Sequence, residues 1–107
     1  MPDEYTWLPA LADAVALVEG STVSRVLLNN EQLRVTGFAM DAGQALTEHA
    51  ASAPAWIQFL GGEISFTVGG ESVDARPGSA VYLSPGTPHS LVANTAARFL
   101  LILIKKG

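Results

Sequence analysis

Cysteine does not occur in the 107 residues, which removes disulfides, thiolate nucleophiles and cysteine-bound zinc together. Charge is scarce. Six Lys and Arg stand against ten Asp and Glu, for a net charge of -4. A surface that follows phosphates needs clustered cations, and the adjacent basic pair is Lys105 and Lys106 at the end of the sequence. That pair reads as a solvated tail, so no nucleic-acid partner is expected. Long hydrophobic runs are missing as well. The apolar stretch from Leu8 to Val18 is broken by Pro9 and Asp13, and it is too short to span a bilayer. Asp3 and Glu4 stand where a targeting segment would be basic. The expectation is a cytoplasmic protein with no membrane partner. A Gly-rich phosphate loop and a G-x-S-x-G nucleophile are also absent.

What is present is the composition of a folded chain. Hydrophobic residues make up 49% and charged residues 15%, which excludes a disordered polymer and fits one domain. Residues 1–20 read as an N-terminal arm. Leu8, Leu11, Val15 and Val18 recur at near-helical spacing, which suits a short helix or turn ended by Gly20, or an arm lying across the body or a neighbour. Residues 21–107 read as the single β domain. Strands are expected at Val23 to Leu28, Leu33 to Met40, Trp56 to Leu60, Ile64 to Val68, Ser72 to Ala75, Ala80 to Leu83, His89 to Ala93 and Phe99 to Ile104. Ala45 to Ser52 is weakly patterned. Phe99 to Ile104 is continuously apolar, as a strand covered on both faces would be. Short strands separated by Gly and Pro turns indicate an all-β sandwich, barrel or jelly roll.

The two histidines each sit in a longer pattern. One runs Gly43, five residues, His49, one residue, Ala51, three residues, Ala55, six residues, Gly62. The other runs Gly78, five residues, Ser84, one residue, Gly86, two residues, His89. Both patterns resemble the two sequence motifs of the cupin family, interval by interval. The hairpin between them, through Gly69 and Gly70, resembles the strands that join those motifs. The resemblance covers roughly residues 23–104 and implies a double-stranded β-helix, or jelly-roll, barrel. It further implies a metal site built from two histidines and a glutamate of the first motif and a histidine of the second. Position by position, His49 and His89 match histidines, whereas Ala51 stands at the second histidine and Ala55 at the glutamate. Ser84 replaces a proline and Ala93 an asparagine.

Two imidazoles fall short of the three protein ligands usual in catalytic zinc sites. Alternation puts Glu48, next to His49, on the opposite face. The same alternation assigns Ala51, Ala55, Ile57 and Phe59 to the face of His49, and Leu91 to that of His89. Phe38 and Met40 are expected to line the same space from the neighbouring strand. The expected site is therefore an apolar cavity with two imidazoles, suited to a small carboxylate, phenol or keto compound. The alternative is a metal-dependent enzyme of dioxygenase, decarboxylase or isomerase type, in which His49 and His89 hold a divalent transition metal. A third reading is an assembly protein that presents surfaces only. Trp7 and Trp56 read as packing or interface residues. An exposed edge strand invites pairing, so a homodimer is expected.

Overall fold

A computed structural model describes residues 4–105. Lys106 and Asp3, singled out above, lie outside the described residues. The described residues form nine strands: β1 (Thr22–Asn29), β2 (Leu33–Met40), β3 (Ala45–His49), β4 (Ala55–Gly61), β5 (Ile64–Val68), β6 (Glu71–Ala75), β7 (Ala80–Leu83), β8 (His89–Ala93) and β9 (Ala97–Ile104). They make two antiparallel sheets. One has five strands in the order β1-β2-β9-β4-β7, and the other has four in the order β3-β8-β5-β6. From β3 onward the chain passes back and forth between the sheets, except at the hairpin that joins β5 and β6 within the smaller one, which is the winding of a jelly roll.

Alternation of apolar residues decides which faces meet. Ala55, Ile57 and Phe59 of β4, Ile64 and Phe66 of β5, Leu91 and Ala93 of β8, and Ala97 and Phe99 of β9 are buried in one cluster with Met40. Phe38, Leu46, Val68, Val81, Leu101 and Leu103 pack against it. The core is thus the space between the two inner faces, as in any pair of stacked sheets. β9 runs down the middle of the larger sheet between β2 and β4. Its outer face is covered at Leu100, which is 5% exposed, but opens at Ile104.

Two glycines fix close approaches. Gly62 turns β4 into β5 at φ +75°, and a Cβ there would lie 2.1 Å from the Ala96 carbonyl oxygen. No side chain fits that gap. Gly37 on β2 leaves room for the arm. A Cβ there would meet Val15 Cγ2 at 2.8 Å.

The arm keeps only a three-residue 3-10 turn, Leu11–Asp13. Its other apolar residues do not form a helical stripe, because Val15 alone is buried while Val18 is 49% exposed. The sequence between them holds it extended instead. Arg25 and Arg98 reach up to the carbonyls of Ala14 and Val15, and Gly20 N–H donates to Asp41 Oδ2 at 2.7 Å. Both expectations for this segment have a counterpart: a short turn forms at Leu11–Asp13, and beyond it the arm lies against the body at Val15.

Candidate functional site

The stretch that carries little pattern in the sequence, Ala45 to Ser52, contains the device that builds the site. Leu46 pairs with Leu91 and His49 pairs with His89, so β3 advances three residues while β8 advances two. The extra residue is a β-bulge, and a bulge re-aims the side chains that follow it. Regular alternation would put Leu46 and His49 on opposite faces. With the bulge, both sit opposite inward-facing partners, Leu91 and His89, each of which is buried.

The imidazoles meet across this pair. Their ring centroids are 4.3 Å apart with 56° between the planes. His89 is buried at 4% exposure, whereas His49 is exposed at the open end. Each ring is held in the same way. His49 Nδ1 bonds the Thr47 carbonyl at 2.8 Å, and His89 Nδ1 bonds the Thr87 carbonyl at 3.0 Å. A carbonyl oxygen only accepts, so each Nδ1 carries the proton, and each neutral ring keeps a lone pair on Nε2. Neither Nε2 has a hydrogen-bond partner among the described residues. No side-chain nitrogen or oxygen there is both sealed from solvent and without a partner. The Nε2 edge of His89 therefore keeps some contact with solvent, although the residue as a whole is 4% exposed.

The loops support this arrangement. Gly86 N–H donates to the Ala51 carbonyl at 2.8 Å, tying the loop after His49 to the loop before His89. Beneath His89 the aromatic rings continue without a break. Phe66 lies 6.0 Å from His89, Phe59 lies 5.9 Å from Phe66, Phe99 lies 6.1 Å from Phe59, and Phe38 stacks on Phe99 at 4.7 Å. All four phenylalanines of the chain belong to this column, and the two histidines cap it.

The remaining residues expected at the site fall into two groups. Ala55, Ile57, Phe59 and Leu91 are buried and face inward as alternation requires, but β4 lies in the sheet opposite His49. Phe38 and Met40 also come from that opposite sheet, on β2, and not from a strand neighbouring β3. All six are members of the packed core or pack against it, and Phe38 stands at the far end of the ring column from His89. Ala51 lies in the loop between β3 and β4, half-buried. Phe66 and Val68 were not anticipated here. Val68 stands directly opposite His89 on β5, a register that single-strand alternation does not reveal. A cleft of about 500 Å³ is lined by Ser52, Ala53, Pro54, Pro85, Ile104 and Lys105, and neither histidine is among its lining residues.

A metal makes a stricter demand. Two Nε2 lone pairs oriented by Nδ1–H bonds to backbone are half of a zinc or iron ligand set. Among the described residues no group of three or more His, Cys, Asp or Glu converges to hold an ion. Ala51 and Ala55 bring no donor atom on their side chains. The residues present do not fit a resident metal held by protein ligands alone.

The family model for the cupin domain matches residues 38–104. No curated protein matches. Solved structures do. A conserved protein of unknown function from Streptococcus pyogenes is 27% identical with a TM-score of 0.85, covering 98% of this chain and 92% of that one. A cupin 2 conserved barrel domain protein from Leptotrichia buccalis is 29% identical with a TM-score of 0.81, covering 88% of this chain and 46% of that one. A cupin superfamily protein from Desulfitobacterium hafniense, 18% identical, shares the fold at a TM-score of 0.84 over 99% and 95% of the two chains. The wound double sheet, the motif spacing and the matched span agree: the chain belongs to the cupin family.

Proposed function

We propose that the barrel is a binding module for a small apolar molecule bearing a hydroxyl, seated at the His49–His89 end. The observation that carries this reading is the pair of Nδ1–H bonds to backbone carbonyls, which leaves two neighbouring acceptors and no donor on the neutral rings. A ligand must bring a proton to such a site. A phenol does so, and Val68, opposite His89 on β5, is the apolar neighbour its ring would meet. A keto compound or a carboxylate brings only lone pairs to the neutral pair, so these two classes expected from sequence are disfavoured. The metal-dependent alternative needs a third donor that the described residues do not supply.

Calorimetric titration with phenol and with benzoate tests this. Phenol binds and benzoate binds more weakly. A neutral hydrogen bond contributes about 0.5–1.5 kcal/mol, so His89→Ala weakens phenol by roughly two- to tenfold, and His49→Ala does the same or less because its ring is exposed. Equal binding of phenol by the wild type and both variants sinks the reading.

A further inference from the structure

The bulge in β3 does more than bring the histidines together. Between Leu46 and His49 the strand carries Thr47 and Glu48, and across from them β8 offers Ser90 alone. Strict alternation would send Glu48 to the face opposite His49. A bulge releases that constraint and re-aims the side chains within it. Glu48 is exposed and lines a groove of about 230 Å³ with Thr67, Val68, Gly69, Gly70 and Pro88.

The segments that build this groove also build the histidine pair. Glu48 precedes His49 and Pro88 precedes His89 in the chain, and Val68 stands opposite His89 on β5. The hairpin glycines keep the groove open, because nothing lies within 4 Å of the Cβ position at Gly69 or Gly70. Small-molecule sites occupy about 300–1,000 Å³. The groove is too small to be one alone and suits an annex to the histidine site.

Its chemistry is set by one charge. Of its two polar side chains, the Thr67 hydroxyl is paired with Ser72 Oγ at 2.8 Å, which leaves the Glu48 carboxylate. Among the described residues no Lys or Arg lines the groove. The Lys105 ammonium, beyond the end of β9, is tied to Asn29 Oδ1 and the Asn30 carbonyl. An ionised carboxylate only accepts hydrogen bonds, as do the two Nε2 atoms of the neutral rings. A ligand therefore meets uncharged acceptors at the imidazoles and an anionic one in the groove.

We infer that Glu48 sets specificity at the histidine site: the ligand is a phenol that also carries an ammonium, its hydroxyl on the imidazoles and its cation in the Glu48 groove. This rests on the phenol reading proposed above and adds a second contact to it. The net charge of -4 favours the approach of such a cation. Glu48 is exposed, so the ion pair is worth what exposed pairs are worth, about two- to fivefold in affinity.

Calorimetric titration at low salt with three para-substituted phenols tests this. They are 4-ethylphenol, tyramine, which adds an ammonium to that side chain, and 3-(4-hydroxyphenyl)propanoate, which ends in a carboxylate. Tyramine binds about two- to fivefold tighter than 4-ethylphenol, and the propanoate binds more weakly than either. Glu48→Gln brings tyramine level with 4-ethylphenol and leaves 4-ethylphenol unchanged. Glu63→Gln removes the same charge at the turn between β4 and β5 and keeps the preference, which separates a local contact from bulk charge. Three results overturn the inference and leave the phenol reading in place: tyramine no tighter than 4-ethylphenol, tightest binding by the propanoate, or a preference that survives Glu48→Gln or is lost in Glu63→Gln. If none of the three ligands binds, the phenol reading falls and this inference falls with it.

Discussion

His49 and His89 present Nε2 lone pairs because Nδ1 of each ring donates to a carbonyl two residues earlier. Two-dimensional NMR of the ring nitrogens reports this directly. Both rings are expected as Nδ1–H tautomers, and an Nε2–H signal from His89 would contradict the orientation. Asp41 is the other residue with a defined electrostatic role. Its carboxylate accepts from Gly20 N–H and, at 2.9 Å, from Ala42 N–H, and these bonds hold its pKa below the ordinary 3.8. A carboxyl whose folded pKa is depressed adds stability above its unfolded pKa, and that stability is lost as pH falls through the folded value. Wild type therefore loses urea resistance from about pH 4 downward, while Asp41→Asn is weaker at neutral pH and flatter across the acid range. Parallel curves for the two proteins would sink this role. At this scale the sequence was informative about identity and blind to orientation. Resemblance to the cupin motifs, position by position, singled out His49, His89, Ala51 and Ala55. Which ring nitrogen is bound depends on backbone carbonyls that only the fold positions.

The strands were legible wherever one face is buried. β2, β7 and β8 begin and end where the apolar pattern predicts, because a half-buried strand must alternate. β3 was not legible, since four of its five residues are exposed and its bulge breaks the period between Leu46 and His49. Face assignments carried from His49 through Ala51 into β4 did not hold as a single face for a different reason: the chain changes sheets between β3 and β4. The turn elements were announced by glycine, yet glycines differ in what they tolerate. Gly43 has φ +86° and open space around its Cβ position, whereas Gly62 has φ +75° and the Ala96 backbone against it. Left-handed backbone costs a substituted residue about 1–2 kcal/mol. Gly43→Ala should lose that amount. Gly62→Ala should lose it together with about 1–3 kcal/mol of overpacking. Equal unfolding midpoints for the two variants would refute the close approach at Gly62.

On the scale of the whole molecule, the barrel is a packed column of rings with a pair of histidines at one end. The column is structural: Phe59 touches both Phe66 and Phe99 across the two sheets. Phe59→Ala should cost about 3–5 kcal/mol, a large part of the ~5–15 kcal/mol that holds a domain of this size, and thermal melting will measure it. A loss below 1 kcal/mol would mean the rings are not in one core. The sequence conveyed the barrel because motif spacing and period-two alternation are chain-local properties. It did not convey the opposite-sheet origin of Phe38 and Met40, which follows from strand order. The most direct test of the site is a titration of ¹⁵N-histidine-labelled protein with phenol and with benzoate. The account predicts that phenol shifts Nε2 of His89 while Nδ1 stays in place, and that benzoate leaves both unmoved at the same concentration. A benzoate response equal to or greater than that of phenol, or none from phenol, would contradict it.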